Sequence, residues 1–365
     1  MHVGGAERVV ALLSNFWAGK GHQVTVMPTF SGRGQCLHHL DERVHMDFLA
    51  DRVFTHKPYI LNKLLRLIAL RSAIFEIKPD VILSFLSDVN IAAILAAYGT
   101  KVPVIVSERI YPPAMPLSSL LERFRAWTYP HAHAVVVQSQ LSMAWLKRCC
   151  PKAFGYVIAN PVEYPLPRTD PEINCDDFLG KNRKLVLAVG RLAEQKGFDL
   201  LLSAFKQLAN RYFDWDLVIL GEGPERKELE HQRKQLGLSN RAFMLGRVGN
   251  LSDWYSRADF FVLSSRFEGF PNALAEAMAH GLPAVSYDCR TGPRDIIRNR
   301  VDGYLLSPES GVIGLAETMK ILIENESLRR QMGYAAQTIR QRFSIERIGS
   351  KWESVLGLHN RINEI

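Results

Sequence analysis

Two acidic side chains bracket a helix start in the stretch SSRFEGFPNALAEAMAHGLPAVS, residues 264–286: Glu268 and Glu276, in an E-x7-E spacing. A strand is expected to end at Ser264–Ser265, leaving Glu268 and Gly269 in a loop. Pro271 suits a first helical turn, NALAEAMA consists of strong helix formers, and Gly281 is placed to stop them. The first N–H groups of such a helix have no partner within it and attract an anion. Glu276 lies on the same helix face as Asn272, and Glu268 can approach from the loop. Phosphate fits the helix tip and vicinal hydroxyls fit the carboxylates, a combination that suits a sugar nucleotide.

Cations come from a second pattern. VGRLAEQKG (189–197) reads as a strand end and a glycine turn carrying Arg191 and Lys196, and two cations at a strand's carboxyl end suit a diphosphate. LGRV (245–248) places Arg247 and Val248 at a further strand end.

The scaffold for these residues is an alternation of helices and short apolar runs. QVTVM (23–27), DVILSF (80–85), PVIVSE (103–108), AVVVQS (134–139) and GYVIAN (155–160) read as strands. A proline-rich polar stretch over 160–184 interrupts the pattern, which restarts at LVLAVG (185–190), WDLVILG (215–221), AFMLG (242–246), FFVLSS (260–265) and PAVSYD (283–288). Continuous β-branched runs between helices predict parallel sheets covered on both faces. The expected class is α/β, two doubly wound Rossmann-like domains: residues 1–165 and 184–340, with a linker at 166–183 and a final helical stretch at 341–365. Ligands of open α/β sheets sit beyond the carboxyl ends of the strands, so the domains are expected to face a cleft.

Composition sets the outer limits. A chain of 365 residues, 47% hydrophobic, supports two domains with sizeable cores. The net charge of +8 favours an anionic partner: phosphates, acidic glycans or an anionic membrane surface. Five cysteines, Cys36, Cys149, Cys150, Cys175 and Cys289, show no metal-ligand spacing and suit a reducing compartment. No secretory signal is expected, and VNIAAILAAY (89–98) is far shorter than the ~20 residues of a membrane span. The basic amphipathic stretches KPYILNKLLRLIALRSAIFEIKP (57–79) and LLERFRAW (120–127) read either as covering helices or as faces for a membrane or a glycolipid diphosphate. Asp214–Asp216 (DWD) reads as turn chemistry before a strand, and His131, His133 and His280 as structural residues. No metal and no nucleic-acid partner is expected.

In chain order, G-R-L-x-x-x-K-G (190–197), LGEGPER (220–226) and E-x7-E (268–276) form a set that resembles glycosyltransferase family 4, retaining enzymes with the GT-B fold. The resemblance covers nearly the whole chain. It is strongest with transferases that build bacterial surface polysaccharide, lipopolysaccharide or lipid-linked glycans, including the N-acetylgalactosamine transferases of N-glycan assembly. It implies a metal-independent hexosyltransferase with no cofactor, moving a sugar from a nucleotide diphosphate donor, a UDP-sugar, to a lipid-linked or oligosaccharide acceptor. The implied location is cytoplasmic, peripheral on the inner face of the cytoplasmic membrane. The alternative is a non-catalytic nucleotide-sugar or glycan-binding member of an assembly complex.

The resemblance also implies roles. Arg191 and Lys196 would hold the diphosphate, Glu276 the ribose hydroxyls, and Glu268 the donor sugar. Backbone of Gly269, Phe270, Asn272 and Ala273 would line sugar and phosphate, backbone of Arg247 and Val248 would receive the base, and Gly5 would lie near phosphate and acceptor. Where many relatives carry a histidine this chain has Arg109, which cannot act as a base at neutral pH. Glu108 or Arg109 would instead bind the acceptor. The opening turn GGAER follows a first strand in relatives, whereas Met1–Val3 is too short to supply one, so that strand is expected to be missing. Residues 341–365 would cross back to the N-terminal domain, anchored by Trp352.

Overall fold

The computed structural model describes residues 5–29, 38–53, 59–180 and 182–358. It divides into two compact units, residues 1–161 with 345–365 and residues 162–344.

Among the described residues, the first unit contains two separate parallel sheets. One pairs β1 (Val24–Val26) with β2 (Val44–Met46). The other runs in sequential order through β3 (Ile82–Phe85), β4 (Val104–Ser107), β5 (Ala134–Val137) and β6 (Gly155–Val157). Every residue of β4 and β5 is buried, as strands covered on both faces require. Helices α1 (Gly5–Gly19), α2 (Tyr59–Ile77), α3 (Ser87–Ala97), α4 (Ser119–Thr128) and α5 (Gln140–Cys149) alternate with the strands. No glycine or proline interrupts α2, whose leucines, lysine and arginines favour a helix. Ser139 caps α5 by accepting from the Ser142 amide at 3.1 Å. Ile91, Ile94, Val106, Val135, Tyr129 and Trp145 share one core.

The late helix Ile345–Leu356 belongs to this first unit. Trp352 is fully buried, with its ring centroid 6.2 Å from that of Phe85. Gly349 lets the helix approach α1 closely: a Cβ there would stand 2.2 Å from the Phe16 ring. Lys20 and Glu353 pair at 2.7 Å. The expectation of a missing first strand falls on Met1–Gly4, which lie outside the described residues, as does Cys36.

The second unit is a six-stranded parallel sheet in the order β12-β11-β10-β7-β8-β9. Its strands are β7 (Lys184–Val189), β8 (Trp215–Leu220), β9 (Ala242–Gly246), β10 (Phe260–Leu263), β11 (Ala284–Tyr287) and β12 (Gly303–Leu306). From β7 the chain builds outward through β8 and β9, then returns to the other side of β7 and builds outward through β10, β11 and β12. The strand order therefore reverses between β7 and β10, and such a switch point opens a crevice at the carboxyl ends. Helices α6 (Phe198–Ala209), α7 (Arg226–Gln235), α8 (Leu251–Arg257) and α9 (Asn272–Ala279) link these strands. Leu201, Phe205, Leu217, Ile219, Phe260 and Val285 form part of the core.

Three sequence readings change. The alternation did not reveal β2, three residues in a polar setting, or β12, a short strand at the sheet edge. Of the DWD stretch, Asp214 stands in the turn before β8, whereas Asp216 lies inside β8, 3% exposed, and takes hydrogen bonds from Arg183 Nε at 2.7 Å and Arg241 Nε at 3.1 Å. Two guanidinium groups make a buried carboxylate tolerable within a strand.

Candidate active site

The carboxyl ends of β7 and β10 are adjacent, and the loops that follow them are tied together. After β7 a short helical turn, Glu194–Lys196, ends at Gly197, whose backbone is left-handed with φ +61°. A Cβ on Gly197 would meet the Ser264 carbonyl oxygen at 2.2 Å, so only glycine lets the two loops come this close. Ser264 Oγ donates to the Lys196 carbonyl at 2.9 Å, and the Arg266 amide donates to the Gln195 carbonyl at 2.8 Å. Gln195 Nε2 donates to the Phe267 carbonyl at 2.9 Å.

This lacing brings Lys196 Nζ to 2.6 Å from Glu268 Oε1. The same carboxylate oxygen accepts from Ser265 Oγ at 2.6 Å, and the Glu268 carbonyl accepts from Thr291 Oγ1. Glu268 is 4% exposed. Its carboxylate is thus fixed at the switch point by a cation and a hydroxyl.

From this loop the chain passes through Gly269, Phe270 and Pro271 into α9. Pro271 is the N-cap residue of α9 rather than part of its first turn. The amides of Leu274 and Ala275 donate to the Pro271 carbonyl at 3.1 Å and 3.3 Å. Glu276 is buried within α9 and accepts from Tyr255 Oη of α8 at 3.2 Å. Arg191 is exposed on the loop that carries Lys196, and Arg247 is exposed just after β9, beside Val248. Cys289 lies beneath the site, 2% exposed, its thiol pushed up to about 12 by burial.

Glu268 and Lys196 thus meet directly, Glu276 follows on the adjoining helix, and Arg191 shares the Lys196 loop. Sequence reasoning missed Ser265, Thr291, Gln195 and Tyr255. Ser265 and Gln195 stand inside the quoted motifs. Thr291 and Tyr255 become partners only through the tertiary fold.

Gly5, Glu108 and Arg109 belong to the first unit. Glu108 is enclosed by its own unit. The side chain is 1% exposed and accepts from Ser87 Oγ at 2.7 Å and from Tyr129 Oη, with Arg125 Nη1 at 3.7 Å. Burial raises its carboxyl pKa. Glu108 braces the end of β4. Arg109 donates to Ser107 Oγ at 3.2 Å and to Asn160 Oδ1, and its guanidinium lies 5.2 Å from the Phe85 ring. Burial lowers its pKa to about 9, which still leaves it protonated at neutral pH. Among the described residues, Arg109 Nε and the nearby Gln138 Oε1 have no hydrogen-bond partner. Gln138 donates to the same Asn160 oxygen at 2.7 Å.

Two of the histidines singled out in the sequence, His280 and His131, are held by neighbours. His280 has Nδ1 2.8 Å from the Glu276 carbonyl and Nε2 3.0 Å from Ser252 Oγ. His131 stands edge-on to Tyr98 and Trp127.

A six-stranded parallel sheet with a lysine and a glutamate paired at its switch point defines a class: a doubly wound α/β protein. Two family models match nearly end to end, Glycosyltransferase Family 4 over residues 3–164 and Glycosyl transferases group 1 over residues 172–339. The chain belongs to glycosyltransferase family 4 and is an enzyme, a hexosyltransferase-type glycosyltransferase. One relative is the GalNAc-alpha-(1->4)-GalNAc-alpha-(1->3)-diNAcBac-PP-undecaprenol alpha-1,4-N-acetyl-D-galactosaminyltransferase of Campylobacter jejuni. It is 30% identical over 355 residues, covering 96% of this chain and 94% of the relative. The amylovoran biosynthesis glycosyltransferase AmsD of Erwinia amylovora is 27% identical, covering 97% and 96%. Among solved structures, Anabaena HepE in complex with UDP and glucose superimposes with a TM-score of 0.82 at 22% identity, covering 98% of this chain and 96% of that one. At that identity the likeness shows the fold, GT-B.

Proposed function

We propose that this enzyme transfers a hexose from a UDP-sugar to a lipid-linked glycan in bacterial polysaccharide or glycan assembly, with retention at the anomeric carbon and without a metal ion. The observation that carries the reading is the Lys196–Glu268 pair at the β7/β10 switch point. The relatives' names support the acceptor class: one acts on a diphospho-undecaprenol glycan and another in amylovoran synthesis.

In this reading Lys196 and Arg191 neutralise the diphosphate, and Glu276 binds the ribose hydroxyls. Glu268 contacts the donor sugar, with Gly269, Phe270, Asn272 and Ala273 presenting backbone to sugar and phosphate. Arg247 and Val248 receive the base. The bond from the anomeric carbon to the β-phosphate oxygen breaks as the acceptor oxygen bonds to that carbon on the same face. The acceptor proton passes to the departing phosphate oxygen. Charge grows on the diphosphate, where the two cations and the start of α9 stabilise it. On the acceptor side Gly5 contributes backbone and Arg109 binds an anionic or hydroxyl group, consistent with its unpaired Nε. A cytoplasmic, membrane-peripheral location follows from a lipid-borne acceptor.

The test is a screen of UDP-sugars for UDP release, with membrane extract as acceptor and EDTA present. Turnover that survives EDTA, with an axial product linkage from an axial donor, is the expected result. No UDP binding and no turnover would defeat the reading. UDP binding without transfer would favour a non-catalytic nucleotide-sugar-binding role.

A further inference from the structure

Two helices of the first unit present apolar side chains to solvent. On α2, Leu61, Leu64, Ile68 and Phe75 recur at helical spacing along one stripe, while Ala69, Ala73 and Ile74 face the interior. On α4, Leu120, Phe124 and Trp127 form a second stripe, with the exposed Arg123 between them. These seven apolar side chains are each between 40% and 63% exposed.

The stripes join. Both helices pack on α3. Arg71 of α2 donates to the Tyr98 carbonyl at 2.8 Å, the Tyr98 ring stands edge-on to His131 at 5.7 Å, and His131 stands edge-on to Trp127 at 5.9 Å. Tyr98 is itself exposed. The acids nearby are engaged inside the unit: Glu76 pairs with Arg52 at 2.6 Å, and Glu122 pairs with Arg125. Lys78 just after α2, Lys101 in the loop after Tyr98, and Arg123 have no carboxylate partner among the described residues.

We propose that this α2–α4 face is where the protein lies on an anionic lipid surface. A solvated covering helix carries polar residues outward. Two exposed apolar stripes on neighbouring helices, rimmed by unpaired cations, match instead the boundary between acyl chains and anionic headgroups. A second copy of this chain is a poorer occupant, because a two-fold interface would set these unpaired cations against one another. The inference rests on the reading of a lipid-borne acceptor for its purpose, but its residues are separate from the donor site.

The test exploits Trp127. Of six tryptophans it alone is exposed, the others being at most 8% exposed. Vesicles of brominated phosphatidylglycerol should quench its fluorescence, vesicles of brominated phosphatidylcholine should not, and Trp127→Phe should abolish the effect. Vesicle partitioning should fall at least about tenfold in the triple variant Leu64→Ser, Ile68→Ser, Phe124→Ser. It should fall about fivefold in Arg123→Ser. UDP calorimetry on the same proteins should match the unaltered chain, which separates this surface from the donor site. Absence of vesicle binding overturns the proposal, as does binding that survives the triple variant. A concentration-dependent dimer abolished by the triple variant also overturns it. Vesicle binding in a protein that binds no UDP would sink the donor reading and leave this one standing.

Discussion

Lys196 Nζ and Glu268 Oε1 stand 2.6 Å apart although 72 residues separate them in the chain. Each follows one of the two strands that flank the switch point, so sheet order alone makes them neighbours. The ammonium and the carboxylate satisfy each other. In the proposed complex a diphosphate would offer the ammonium a second anion, leaving the carboxylate for hydroxyls. Lys196→Ala is expected to reduce turnover by ~10²–10³-fold, read as UDP release. Because the two groups touch, the double variant Lys196→Ala, Glu268→Ala should lose less than the two single losses combined. Strict additivity would show that the pair does not act as one unit.

Arg191 offers a cleaner measure of charge stabilisation, because the exposed side chain is not part of the buried pair. Arg191→Ala should reduce turnover by ~10²-fold or more with little change in thermal stability. Wild-type turnover would remove Arg191 from the diphosphate site.

Glu276 is assigned to the ribose, so its loss should depend on which part of the nucleotide is present. Glu276→Ala should weaken UDP binding by about tenfold or more and leave pyrophosphate binding unchanged by calorimetry. Equal weakening of both ligands would place Glu276 elsewhere on the nucleotide.

Gly197 tests the lacing itself. Gly197→Ala must fit a Cβ 2.2 Å from the Ser264 carbonyl at φ +61°. It should destabilise the second unit by about 1–3 kcal/mol in urea unfolding and also impair turnover, because the shift displaces Lys196. Full stability would mean that the loops can separate freely.

Burial lowers the His280 pKa below its usual value. The unfolded chain takes up a proton near ~6.5, whereas the folded ring resists it. Between those two values the unfolded state binds more protons, so stability falls as pH falls. His280→Gln should flatten that acid slope, seen as a smaller difference in Tm between neutral and mildly acidic buffer. An unchanged slope would assign it to other groups.

The sequence by itself determined most of the elements and where the motif residues fall on them. Continuous β-branched runs, a proline-rich break and ordered glycine-bearing motifs identified two parallel α/β units, the loops that carry Arg191, Lys196 and Glu268, and the helix that carries Glu276. These features are local: each depends on neighbours within a turn or a strand. The reading failed where the outcome depended on distant partners. The DWD stretch was read as turn chemistry, whereas Arg183 and Arg241 arrive from elsewhere to hold Asp216 inside the strand, and the enclosure of Glu108 by Ser87, Tyr129 and Arg125 left no trace in chain spacing. The outward stripes of α2 and α4 were equally undecided, since an amphipathic pattern records which residues share a face and not which face is buried. Tertiary structure decided these points because ion pairing, desolvation and exposure are set by which strands and helices become neighbours, and chain spacing does not encode that adjacency.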